Sequence, residues 1–175
     1  MTIQVGFKKL SEHATLPTKA HATDSGFDLY AAEDVIVEPG QTVVVKTDIA
    51  IVLPEGHEAQ VRKRSGITSK TKLRVRLGTI DNPYRGNIGI TVDNISQKFL
   101  HAETARTKYV RRLDNSAVQP TFGDYYLHET YLIHKGDKLA QLVIQAIPAV
   151  EAVEVFELDE TDRGTNGFGS SGVQG

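Results

Sequence analysis

Between residues 35 and 61 the chain reads VIVEPGQTVVVKTDIAIVLPEGHEAQV, short runs of Val and Ile cut by turn residues. Thr42–Thr47 and Ile49–Leu53 are too short and too rich in β-branched residues for helices, and the pattern predicts strands. Pro39-Gly40 fits the two central positions of a type II turn, the second of which needs positive φ, and Pro54-Glu55-Gly56 marks another reversal. The strand pattern resumes at ETYLIHKGDKLAQLVIQAIPAVEAVEVF, residues 129–156. Short strands with this punctuation predict an all-β sandwich or barrel. Two stretches depart from it. Ser65–Lys70 can form one short helix with Ser65 as its cap. In the segment 99–126, Phe99, Ala102, Ala105, Tyr109 and Leu113 fall near helical spacing until Pro120 and Gly123 break the pattern, so an insert with its own local structure is expected, helical or hairpin.

At 175 residues the chain is long enough for one domain with a sizeable core. It has no cysteine, so no disulfide contributes, and a reducing compartment fits. No apolar run is long enough to span a bilayer and the N-terminus MTIQVGFKKL is too short and polar for a secretion signal, which predicts a cytoplasmic protein with no membrane partner. The net charge of -2 excludes a global basic field, so direct nucleic-acid binding is not expected. Positive charge is local instead. VRKRSGITSKTKLRVR, residues 61–76, carries no acid and suits a polyanion, although a solvated strand face would read the same way. His13, His21, His57, His101, His128 and His134 show no H-x-x-x-H spacing, so no transition-metal site is predicted.

Candidate chemistry sits in five places. GTIDNPYRGNIGI (78–90) puts Asp81 after an apolar strand, at the mouth of an expected β-hairpin, with Tyr84 three residues on. DSGFDLYAA (24–32) brackets a Gly-Phe pair with Asp24 and Asp28; Arg64-Ser65-Gly66 lies inside the basic run; KGDKLAQL covers 135–142; and RGTNGFGSSG begins at Arg163. Each is weak alone, since Asp81 could be an ordinary Asx-turn. In this order they resemble the five motifs of the homotrimeric dUTPases, which read close to AGxDLxAA, PRSGL, GxIDxDYRG, GDRIAQL and RGxGGFGSTG.

The resemblance implies a jelly-roll-like fold with one short helix, a trimer, and hydrolysis of dUTP to dUMP and pyrophosphate with Mg²⁺. Asp81 matches the carboxylate that deprotonates the attacking water, and Tyr84 the ring that packs on deoxyribose and rejects a 2′-hydroxyl. Leu77, Gly78 and Ile80 match the hairpin that reads uracil through main-chain groups. Arg64, Ser65, Gly66 and Gln141 match phosphate-side positions, and Asp28 the acid that supports the metal through water. In the tail, Phe168 matches the aromatic over uracil, while Arg163, Gly169, Ser170 and Ser171 match positions that close on phosphate. The family divides each site among three chains, which implies a β-domain over 1–162 and a lid over 163–175. Asp137 is expected to be structural.

Four departures stand out. Lys63 replaces a usual Pro, Pro83 a usual acid, and Asn166 a usual Gly, the last with little cost because Asn tolerates positive φ. The insert at 99–126 is the largest, and it resembles dUTPases of phages infecting Gram-positive bacteria, some of which bind bacterial repressors. A regulatory role through this insert is therefore a second reading, and a dCTP deaminase on the same fold a third.

Overall fold

The computed structural model describes residues 3–97, 106–123 and 125–166. Its first strands are β1 (Gly6–Lys9), β2 (Gly26–Tyr30), β3 (Val35–Val37), β4 (Thr42–Lys46) and β5 (Ile49–Val52). Next come β6 (His57–Lys63), the helix α1 (Ser65–Lys70), β7 (Leu73–Val75), β8 (Gly78–Ile80) and β9 (Gly89–Asn94). The insert supplies β10 (Arg106–Thr107), β11 (Val110–Arg111), β12 (Ala117–Val118) and β13 (Tyr126–Leu127), and β14 (Tyr131–Ile133) and β15 (Lys138–Ala146) follow.

These strands form several small sheets wrapped around one main core, without a closed barrel. The central sheet runs β2-β15-β6-β8, the next β4-β9-β7, and a third β12-β11-β14-β3. Leu29, Ile49, Ile90, Ile133, Leu139 and Leu142 are fully buried between them. Along β15 the buried Ala140 and Leu142 alternate with the partly exposed Gln141, the period-2 logic of a half-buried strand, and Leu139 is buried as well at a register shift between Lys138 and Ala140. The turn at Glu38–Gln41 is as expected, with Gly40 at φ 74° and the Gln41 N–H donating to the Glu38 carbonyl at 3.0 Å.

Three local expectations differ. Ser65 is not the helix cap: Arg64 holds that position with extended φ and ψ, no side chain caps the helix, and Ser65 is its first residue. Asp81 is not at a hairpin mouth, because β8 pairs with β6 whereas β9 pairs with β4 and β7. Residues 81–88 are thus a crossover between two sheets, and so is the connection through Leu77 from β7 to β8. The strand expected to continue to residue 156 stops at Ala146. That residue pairs with His57, the start of β6, and beyond it no strand among the described residues pairs with the chain; one last bond runs from the Ile147 N–H to the Gly56 carbonyl, 2.8 Å. Residues 147–166 form an exposed arm whose Val150, Val153, Val155, Phe156 and Leu158 all face solvent, Phe156 at 94%.

The described part of the insert is strand, not helix. β11 lies parallel to β14 and antiparallel to β12, and Val110, Tyr126 and Leu132 make a small second core against Ile36 and Val118. Residues 98–105 lie outside the described segments.

Candidate active site

Adjacent strands bring three of the five motifs together. In β15 Gln141 sits opposite Asp28 of β2 on one side and Arg62 of β6 on the other. The Asp28 carboxylate, only 13% exposed, is clamped between two cations: Arg64 Nε lies 3.2 Å from Oδ1 and Lys138 Nζ 2.8 Å from Oδ2. Arg64 also donates to the Lys138 carbonyl at 2.9 Å, and Gln141 Nε2 donates to the Lys63 carbonyl at 3.0 Å. The hydrogen bond to Asp28 is the first reason the Lys138 ammonium titrates above its usual range. Charge-assisted bonds of this kind are short and orient both partners.

Beside this clamp a cavity of about 290 Å³ is lined by Arg64, Gly66, Ile67, Lys70, Arg112, Leu113, Asp114, Asp137 and Lys138. Ser65 and Gly66 are exposed at the start of α1, with open space around Gly66. Asp137 lines the cavity, yet its carboxylate accepts the His134 N–H at 2.9 Å, closing the turn in which Gly136 has φ 87°. The mixture of four cations and two acids suits a bound polyanion with a counter-ion.

Asp81 and Tyr84 belong to a second cavity, of about 230 Å³, lined by Val61, Gly78, Thr79, Ile80, Asp81, Tyr84, Asn87, Ile88 and Gly89. Leu77 does not line it and is 70% exposed. The Tyr84 N–H donates to the Asp81 carbonyl at 3.0 Å, which fixes ring and carboxylate on one turn. Asn82, between them, anchors the turn by donating to the carbonyls of Pro54 at 2.7 Å and Leu53 at 3.2 Å. Asp81 is exposed. The two cavities share no lining residue, so one chain carries Asp81 and Arg64 in different cavities.

In the arm, Arg163 Nε donates to the Asn166 carbonyl at 3.2 Å; Phe168, Gly169, Ser170 and Ser171 lie outside the described residues. Two contributions escape sequence reasoning. Lys138 is visible in KGDKLAQL, but nothing local says that its partner is Asp28. Arg112 and Asp114 reach the first cavity from the insert, whose path no spacing reveals.

The sequence matches the dUTPase family over residues 12–107 and 126–172. A human mitochondrial deoxyuridine 5'-triphosphate nucleotidohydrolase is 38% identical over 170 residues, covering 97% of this chain and 55% of that protein. The dUTPase of Staphylococcus bacteriophage 80alpha, solved with dUPNHPP, superposes with a TM-score of 0.90 at 39% identity, covering 98% of this chain and 100% of that one. That structure belongs to work describing phage dUTPases as controlling transfer of virulence genes by a proto-oncogenic G protein-like mechanism. A mutant dUTPase from phage phi11 of S. aureus, described as revealing the coordination of a structural Mg(II) ion, superposes with a TM-score of 0.81 at 37% identity, over 88% of this chain and 97% of that one. With its motifs in order and its fold shared along nearly the whole length, the chain belongs to the dUTPase family.

Proposed function

We propose that the protein hydrolyses dUTP to dUMP and pyrophosphate at sites shared between three copies of the chain. The observation that carries this reading is the split geometry: Asp28, Arg64 and Gln141 meet on neighbouring strands, while Asp81 and Tyr84 flank a separate cavity. A second copy that lays its Asp81 turn over the Arg64 cavity completes one centre. The exposed apolar arm supports assembly as well, because Val153, Val155, Phe156 and Leu158 face solvent and apolar surface of that kind seeks a partner.

In the completed site Asp81 orients a water and accepts its proton as the water oxygen attacks the α-phosphorus, and pyrophosphate leaves. Tyr84 packs on the deoxyribose, and the main chain of Gly78 and Ile80 reads the uracil. Arg64, Ser65, Gly66 and Gln141 hold the phosphates, and Arg163, Phe168, Gly169, Ser170 and Ser171 close over base and phosphates from the third chain, excluding water. Mg²⁺ fits this donor set as an ion held mainly by phosphate oxygens and water, since it dehydrates reluctantly and among the described residues no three His, Asp or Glu side chains converge. When bound, the ion supplies charge neutralisation at the phosphates. Asp28, which keeps Arg64 and Lys138 in place, would support the ion through water and not bind it directly.

The test is incubation with dUTP and with dCTP in Mg²⁺, followed by analysis of nucleotide and pyrophosphate. Formation of dUMP and pyrophosphate from dUTP alone is the expected result. Intact dUTP would sink the reading, and uracil nucleotides formed from dCTP would replace it with a deaminase.

A second reading is favoured by the insert. It carries exposed Tyr109, Phe122 and Tyr125 and lends Arg112 and Asp114 to the cavity that holds Arg64, so a repressor protein docked there would compete with substrate. Binding of such a repressor should weaken as dUTP is added; binding indifferent to dUTP would remove this coupling.

A further inference from the structure

We propose that a chain of hydrogen bonds behind the sugar pocket, from Ser11 through Asp48 and Asn87 to Tyr84, sets how strictly the site rejects a ribonucleotide, and that Asp48 is its central positioning residue. The proposal rests on the reading of Tyr84 given above. The Tyr84 hydroxyl donates to the Asn87 carbonyl at 3.0 Å, which folds the ring back over its own loop. Gly86 makes that pose possible: a Cβ there would overlap the hydroxyl and come within 2.6 Å of Cζ.

Asn87 is in turn held from both ends of its carboxamide. Its Nδ2 donates to Asp48 Oδ1 at 2.7 Å, and its Oδ1 accepts the Asp48 N–H at 3.0 Å. The other carboxylate oxygen of Asp48 accepts from Ser11 Oγ at 2.6 Å, and the Asp48 carbonyl accepts the Leu10 N–H at 2.8 Å. Asp48 does this from a left-handed backbone, φ 52°, a conformation that costs most residues energy and that Asp and Asn tolerate better. Strain of this sort persists only where surrounding contacts hold it. Here the contacts form a brace between the β1 end, the β4–β5 turn and the Tyr84 loop, and Asp48 touches neither cavity.

The physical consequence concerns selectivity. Tyr84 excludes a 2′-hydroxyl only if its ring cannot retreat, because a small displacement opens room for one oxygen. Bonds that orient a metal ligand from behind matter by about tenfold or more when lost, and bonds that orient a sugar-contacting ring act by the same means. Loosening the brace should therefore act on the ratio of dUTP to UTP turnover, not on both substrates alike.

The experiment compares kcat/KM for dUTP and UTP in Asp48→Gly, Asp48→Asn and Ser11→Ala, with thermal melts of each. Asp48→Gly removes both side-chain bonds without backbone strain, since glycine adopts positive φ freely. Asp48→Asn keeps an acceptor for Asn87 and a donor for Ser11. The expected result is a dUTP preference about tenfold lower in Asp48→Gly, a smaller loss in Ser11→Ala, and near wild-type preference in Asp48→Asn. An unchanged ratio in Asp48→Gly, or an equal loss in Asp48→Asn, overturns the proposal. Should Asp48→Gly fail to fold, Ser11→Ala decides: an unchanged ratio there overturns it too. A wild-type protein that leaves dUTP intact defeats the functional reading itself, whereas an active wild type with unaltered variants defeats only the brace.

Discussion

Asp48 shows how a single side chain is tuned by its neighbours. The hydrogen bond from Ser11 first, and that from Asn87 after the opposing effect of desolvation, hold its carboxyl below the ordinary value of 3.8. A folded-state value below the unfolded one means that the ionised form favours folding; the contribution is complete above the unfolded value and disappears as pH falls through the folded one. Wild-type protein should therefore lose melting temperature more steeply than Asp48→Asn between about pH 5 and pH 2, as followed by thermal melts across that range. Parallel curves would mean that Asp48 carries no such linkage. At this scale the sequence marks the candidate chemistry and says little about its support. Asp81, Tyr84, Arg64 and Gln141 stand out because their immediate neighbours form motifs. Asp48 lies outside every motif, and Asn87 and Lys138, although inside two of them, show no role there, because their partners are brought near only by strand pairing.

Elements are held in place by polar contacts as well as by apolar burial. Asn94, at the end of β9 and 1% exposed, donates through Nδ2 to the Val37 carbonyl at 3.0 Å and to the Glu129 carbonyl at 2.8 Å. It thus ties β9 to β3 and to the turn before β14. Asn94→Ala leaves buried carbonyls unpaired and should cost about 1–3 kcal/mol, measurable by urea denaturation; a loss under half a kcal/mol would show that water replaces the amide. Strands β4 and β5 and the turn at Pro39-Gly40 were legible because β-branched runs and turn residues are local signals. The insert was not. Its apolar spacing resembles a helix, but in the described part Val110 and Tyr126 are placed by Leu132, a tertiary contact that overrides periodicity. The hairpin expected around Asp81 failed for a related reason: short strands on either side of a turn need not pair, and here each finds a longer partner elsewhere.

For the whole molecule, the separation of the Asp81 cavity from the Arg64 cavity predicts complementation between damaged chains. Homotrimers of Asp81→Ala and of Arg64→Ala should each be nearly inactive. Mixed trimers, formed by refolding the two together, should recover part of the wild-type rate because some sites receive an intact half from each kind of chain. No recovery above the two separate variants would place the whole site within one chain and remove the need for assembly. The arm from Ile147 onward fits the same logic, carrying apolar side chains that face solvent. Its strand-like sequence was legible, but a strand needs a partner, and among the described residues none pairs past Ala146.

At the centre of the account stands a water that Asp81 directs at the α-phosphorus of dUTP. Hydrolysis in ¹⁸O-enriched water, with the products resolved by mass spectrometry, tests that most directly. The account predicts one ¹⁸O in the phosphate of dUMP, none in pyrophosphate, and no turnover by Asp81→Asn although that variant still binds dUTP. Label appearing in pyrophosphate, or turnover by Asp81→Asn close to the wild-type rate, would contradict it.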